Sequence, residues 1–156
     1  MMKLFFALSL GLFTLMISLP GVNAQTTPVS PNLKPVNDPW KPAELLGPAK
    51  LAGFIKAGTA PLICNIGSAE DIVDAKHIGP VSEPKFHNKF KIMIAGLAKD
   101  KPIVIYCGCC ALAKCPNVRP AYLELKAAGF TNIIVLNLAV NLKTNWIDMG
   151  FPIGGK

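Results

Sequence analysis

The sequence predicts an α/β domain built as a three-layer sandwich, with a central, mostly parallel sheet flanked by helices. Three observations carry that reading. The runs 61–66, 102–106 and 132–136 are apolar without alternation, the pattern of strands buried on both faces. Segments with helical apolar spacing lie between them, and strands that alternate with helices form a parallel sheet with both faces covered. Turn residues bound the runs: Pro61, Pro102 and Gly129.

At the amino end of the domain, residues 42–57 read as a helix that Pro48 breaks or restarts, because proline removes a backbone donor, and Gly58 ends it. Residues 61–66 form the first buried strand, in which Cys64 is a small core residue. Ser68-Ala-Glu-Asp71 has the form of a capping box and predicts a short helix. His77-Ile-Gly-Pro80 reads as a turn, with His77 a structural turn residue rather than a base. Phe86, Phe90, Ile94 and Leu97 fall on one helical face and predict a helix over 86–98. The strand 102–106 runs straight into Cys107. After a loop, residues 118–128 read as a helix with Pro120 in its first turn and Gly129 closing it. The strand 132–136 comes next, and Trp146 belongs to the core.

Ahead of the domain (42–156) stand two other segments. Residues 1–24 have the form of a secretory signal peptide: Lys3, then an apolar run over 4–19, then Pro20-Gly21 and the small-residue cleavage site Val22-Asn-Ala24. An uncleaved anchor is the alternative, but a run of 16 residues, broken by Ser9, Gly11, Thr14 and Ser18, falls short of the roughly 20 that span a bilayer. No membrane anchor is expected after cleavage, and export to the periplasm or the medium is the expected outcome. Residues 25–41 form a proline-rich linker, with Trp40 placed to pin its end to the domain.

The 156-residue chain has room for one core of ordinary size. Its net charge of +7 comes from scattered lysines and a single arginine, Arg119. Nucleic-acid readers concentrate Lys and Arg on one face, and no such block exists here, so no nucleic-acid partner is expected. A positive field favours small anions.

The chemistry gathers between the second strand and the next helix, in Cys107-Gly-Cys-Cys-Ala-Leu-Ala-Lys-Cys-Pro-Asn-Val-Arg119. Four of the five cysteines lie within these nine residues, 107–115. Ligands of open α/β sheets bind beyond the carboxyl ends of the strands. A thiol there faces the amide donors of the following helix, which favours the thiolate, the attacking form. Cys107 is thus placed as the nucleophile, with Cys110, nearer the helix, as the alternative. The amides of Gly108 and Cys109 are candidates to cradle an anionic substrate. Lys114 raises the local potential, and Arg119 is either an anion ligand at the helix start or a solvated side chain. Cys107-x-Cys109 and Cys110-x4-Cys115 match no standard zinc spacing, but with the loop supplying the geometry Cys109, Cys110 and Cys115 are candidate thiolate ligands for Cu or Zn, or members of a disulfide or redox pair in an oxidising compartment. These alternatives stay open.

From Pro61 to Pro152 the chain resembles the single-domain rhodanese-like sulfurtransferases. The resemblance is carried by the strand ending in Cys107, the helix ending in Leu125-Lys-Ala-Ala-Gly129-Phe130, the strand 133–136, Trp146, Gly150-Phe151-Pro152 and the earlier His77-Ile78-Gly79. It implies a rhodanese-like fold and a cysteine that accepts a sulfane sulfur as persulfide and passes it to a thiol or cyanide. The implied partners are a small sulfur-containing anion such as thiosulfate, or a low-molecular-weight thiol, or a protein thiol acceptor, without an organic cofactor. The chain departs from the family pattern in its loop. Ten residues separate Cys107 from the helix, and Gly108 follows the cysteine where a basic residue is usual. Asn65-Ile66-Gly67 replaces the common Asp-Val-Arg after the first strand. A metal-binding module or a thiol–disulfide oxidoreductase on the same fold are the competing readings. A phosphatase-type Cys-x5-Arg loop is excluded, because eleven residues stand between Cys107 and Arg119.

Overall fold

In the computed structural model, which describes residues 38–154, the run Ile103–Tyr106 is the middle strand of a five-stranded sheet. The strands are β1 (Leu45–Leu46), β2 (Leu62–Asn65), β3 (Lys76–His77), β4 (Ile103–Tyr106) and β5 (Ile133–Leu136). All pair in parallel, in the order β1-β5-β4-β2-β3. The leader expected over 1–24 and residues 25–37 of the linker lie outside the described residues.

Helices cover both faces, so the sheet is the middle of three layers. Helices α2 (Pro84–Ala95) and α3 (Val118–Ala127) lie on one side, α1 (Pro48–Lys56) on the other. Side chains of β4 alternate between the two cores. Ile103 and Ile105 enter the layer of Phe90, Ile94, Ala121 and Leu125, whereas Val104 and Tyr106 enter that of Leu51, Leu142 and Trp146. All four β4 residues are 0 % exposed, which is why the run is apolar without alternation. Burying each Ile or Val contributes about 1.5–3 kcal/mol.

Helix α3 ends as its sequence indicates. Gly129 takes φ +86°, and Phe130 N–H bonds Leu125 C=O at 3.0 Å while Gly129 N–H bonds Lys126 C=O at 3.0 Å. That left-handed closure needs no Cβ, and it turns Phe130 into the core beside Leu125.

Three local expectations are corrected. The stretch 42–57 is not one helix: Pro42–Glu44 is a 3-10 turn, Leu45 and Leu46 form β1, and α1 begins only at Pro48. Pairing with Val135 and Leu136 draws the two leucines into the sheet, and Pro48 restarts a helix where its missing N–H has no intrahelical partner to lose. The helix expected from Ser68 does not form. The Asn65 side-chain amide takes the Ala69 carbonyl and the Asp71 carboxylate, both at 2.8 Å. Tyr106 Oη donates to the Glu70 carbonyl at 3.1 Å and accepts the Ile72 amide at 2.8 Å. These tertiary bonds replace the helical ones. His77 lies in an edge strand, β3, before the turn begins.

Trp40 packs edge-on against Tyr122, with ring centroids 5.8 Å apart, so the end of the linker is part of the domain. Trp146 is fully buried within a π-helical turn (Lys143–Ile147) that the sequence pattern does not signal.

Candidate functional site

Strand β4 delivers Cys107 to the carboxyl end of the sheet, where the thiol continues the inward row of Ile103 and Ile105. Cys107 is only 3 % exposed. Two glycines make that position possible. Ile66 N–H bonds the Tyr106 carbonyl at 2.8 Å, which brings Gly67 against Cys107. A Cβ at Gly67 would sit on the Cys107 carbonyl and 2.5 Å from its Sγ. Gly108 then turns the chain with φ +79°, where a Cβ would lie 2.7 Å from that of Ala69. The loop beyond is anchored by Leu142 N–H to Gly108 C=O at 2.8 Å and by Leu112 N–H to Leu138 C=O at 2.9 Å.

Donors converge on the Cys107 sulfur. The Cys115 thiol, the Cys109 thiol, the Cys109 backbone N–H and the Asn117 side-chain amide all hydrogen-bond it. Cys109 Sγ is 3.1 Å away and Asn117 Nδ2 3.2 Å. Burial alone would raise the thiol pKa. Donation to the charged form outweighs it, Cys115 contributing most, and the pKa falls from 9.0 to about 5. The donors therefore favour the thiolate form of Cys107. Its donors move the other way. Cys115 is pushed well up by its bond to Cys107 and by burial. Cys109 rises to about 12, through desolvation and then its bonds to Cys107 and Cys110.

The origin of this stabilisation corrects one expectation. The first amides of α3 do not aim at Cys107; those of Asn117 and Val118 bond Cys115 instead. The helix end thus holds the donor, and the donor holds the thiolate.

Asn117, unforeseen from the sequence, is a central residue of the site. Its position just before the helix was a signal for a side-chain cap, but the side chain makes no cap. Its oxygen accepts Ser82 N–H at 2.9 Å and its nitrogen donates to Cys107. Asn65 and Gly67 were visible only as departures from the family pattern. Asn65 is fully buried, and its Oδ1 accepts Gly67 N–H at 3.1 Å, which fixes the wall behind Cys107.

Among the other expected site residues, Cys109 is exposed and Cys110 half-buried, their sulfurs 3.6 Å apart. Lys114 is exposed on the 3-10 turn Leu112–Lys114. Arg119 is engaged structurally: it pairs with Asp38, donates to the carbonyls of Cys115 at 3.4 Å and Ala113 at 3.3 Å, and stacks over Trp40. Its two terminal nitrogens thus tie the linker to the loop, while its buried Nε has no partner among the described residues. Cys64 is buried in β2, its thiol raised to about 12 by burial, and takes no part in the cluster.

The metal set also changes. The sulfurs of Cys107, Cys109 and Cys110 lie within 4.8 Å of one another, a group able to hold a metal ion. Cys115, expected in that set, stands outside it as a hydrogen-bond donor to Cys107. Three thiolates suit a soft ion such as Cu(I), or Zn(II) with one more ligand.

Two cavities flank the loop. An open pocket of about 470 Å³ is lined by Ala69, Glu70, Gly108, Cys109, Leu142 and Lys143, among others. A far smaller space of about 10 Å³ lies among Cys107, Gly108, Cys110, Leu112, Cys115 and Val118. No protein-family model matches the chain, and no curated protein matches it in sequence.

Proposed function

We propose that the chain is an exported sulfurtransferase of the rhodanese-like kind, with Cys107 as the atom that accepts and carries sulfur. The observation that supports this best is a buried cysteine at the carboxyl end of β4 whose sulfur is surrounded by donors that favour its thiolate form. Thiolate is the nucleophilic form, and its low pKa also makes it a good leaving group for the return step. In the forward step the Cys107 sulfur attacks the sulfane sulfur of a small anion such as thiosulfate. The donor's S–S bond breaks, sulfite leaves with the electron pair, and Cys107 becomes a persulfide. A thiol or cyanide then takes the outer sulfur and restores the thiolate. Charge is conserved in both steps, and the basic surface favours the anionic donor. The open pocket beside Gly108 and Cys109 offers the approach.

A test is sulfur transfer from thiosulfate or polysulfide by the reduced chain. Cys107→Ser should abolish turnover, and Cys64→Ala should leave it intact. Full transfer by Cys107→Ser would overturn the reading.

A second reading rests on the thiolate cluster: Cys107, Cys109 and Cys110 would hold Cu(I) or Zn(II), and the protein would carry metal rather than sulfur. When bound, the ion would block Cys107 as a nucleophile, so the two activities exclude one another.

A further inference from the structure

We infer that Cys109 is the point at which the site is oxidised: a low-molecular-weight disulfide in the open pocket exchanges with the Cys109 thiol, and Cys107 then displaces the small thiol to close a Cys107–Cys109 disulfide. The disulfide takes the Cys107 sulfur out of use, so the ratio of small disulfide to small thiol sets whether the chain can carry sulfur. That consequence rests on the reading of Cys107 as the sulfur acceptor; the disulfide itself does not.

Exposure and distance carry the argument. Cys107 is 3 % exposed and Cys115 1 %, so neither meets a reagent the size of a small disulfide. Cys109 is exposed and lines the open pocket of about 470 Å³, a volume that takes a small molecule. Cys107 does not line that pocket, yet the two sulfurs are only 3.1 Å apart, about 1 Å more than a disulfide bond. Gly108 stands between the two cysteines, and its φ of +79° turns the chain there. Cys110 is the rival partner for Cys109, with sulfurs 3.6 Å apart. Those two residues are adjacent, however, and consecutive Cα atoms stand about 3.8 Å apart, below the span of roughly 4.4 Å or more that disulfides usually bridge. The exposed thiol thus has one partner that suits it, and that partner is the nucleophile.

Atoms, electrons and protons balance. Cys109 attacks one sulfur of the small disulfide, and its proton passes to the Cys107 sulfur, the acceptor of the hydrogen bond between them. A mixed disulfide forms on Cys109, and the first small thiol leaves as thiolate. That thiolate takes the proton from Cys107. Cys107 then attacks Cys109. The Cys107–Cys109 bond forms, the bond to the second small thiol breaks, and this thiol leaves as thiolate through the pocket. The cysteine pair loses two electrons and the small disulfide gains them. Excess small thiol reverses the exchange from the same side: one equivalent attacks the exposed Cys109 and expels Cys107, and a second releases Cys109.

The test places the reduced whole chain in buffers of set cystine-to-cysteine ratio, then reads intact mass, peptide maps and sulfur transfer from thiosulfate to cyanide. In excess cystine, wild type should lose two hydrogens, mapped to Cys107–Cys109, and lose its transfer rate in step. Excess cysteine should restore both. Cys107→Ser should stop with one cysteine attached to Cys109. Cys109→Ser should lose its own starting transfer rate at least about tenfold more slowly than wild type, because the nucleophile it retains is buried. Wild type that stays reduced in excess cystine, a disulfide mapped to another pair, or loss by Cys109→Ser at the wild-type rate would each overturn the inference while leaving Cys107 as sulfur acceptor. Formation of the disulfide in a chain whose reduced form transfers no sulfur would do the reverse: it would uphold the exchange at Cys109 and overturn the acceptor reading.

Discussion

Asn117 holds Cys107 from a fixed seat: its amide nitrogen donates to the sulfur at 3.2 Å, while its oxygen accepts the Ser82 amide at 2.9 Å. The side chain cannot turn without losing both bonds. The sulfur therefore has an oriented, neutral donor: the side chain of the residue that stands at the N-cap position of α3.

Asn117→Asp keeps the acceptor for Ser82 and exchanges the donor for a carboxylate. The Cys107 pKa should rise from about 5 toward the ordinary thiol value, with the fold retained. Thiolate absorbance, measured against a Cys107→Ser reference as pH is raised, checks this. An unchanged inflection would show that Asn117 does not tune the sulfur.

The same shift sets a pH dependence of stability. The folded pKa of Cys107 is depressed below its ordinary 9.0, so its contribution is fully present above that value and is lost as pH falls toward about 5. Wild type should lose more stability than Cys107→Ser between pH 9 and pH 5, as denaturant midpoints would report. Parallel curves for the two proteins would contradict the assignment.

Gly67→Ala places a methyl group against the Cys107 carbonyl and sulfur, both held by the strand. Overpacking of this kind costs about 1–3 kcal/mol, and here it also displaces the nucleophile. Both the melting temperature and the rate of Cys107 alkylation should fall. Gly53→Ala, on an open helix face, serves as the control: it should leave the alkylation rate unchanged and raise the melting temperature, since alanine is about 1 kcal/mol better than glycine inside a helix.

For the metal reading, the reduced chain should bind one Cu(I). Binding should weaken in Cys109→Ser and Cys110→Ser and persist in Cys115→Ser, because Cys115 stands outside the sulfur group. Chelator competition distinguishes these proteins, and equal affinity in all of them would remove the site.

Export has its own check. Protein purified from the expressing cell should begin at Gln25 and be recovered outside the cytoplasm. An intact Met1 in a membrane fraction would refute it.

The elements legible in the sequence are those whose own residues determine them. β2, β4 and β5 are apolar throughout because both faces are covered, and α3 carries its start and stop in Pro120 and Gly129. Strands β1 and β3 have two residues each and exist only through their partners, so no periodicity marks them. The failed helix after Ser68 has the same origin: Asn65 and Tyr106, distant or buried, take the carbonyls that a helix would have used. Cys107 was legible as the end of an apolar strand. Its donors were not, since Asn117 reaches back ten residues and Cys115 depends on how the loop closes. Arg119 reads equally as an anion ligand or a solvated side chain, because no sequence pattern points to Asp38, its partner across 81 residues.

The alternation along β4 makes the site a matter of parity. Cys107 is odd with Ile103 and Ile105, and thus shares their layer with Asn117 and Cys115 beyond it. One residue inserted between Pro102 and Tyr106 would send the thiol to the even side, among Leu142 and Trp146, where an apolar layer would hold it protonated. Two residues would restore the face but overshoot Gly67. The length of this strand, counted to the single residue, thus decides whether the fold presents a nucleophile or an inert core sulfur.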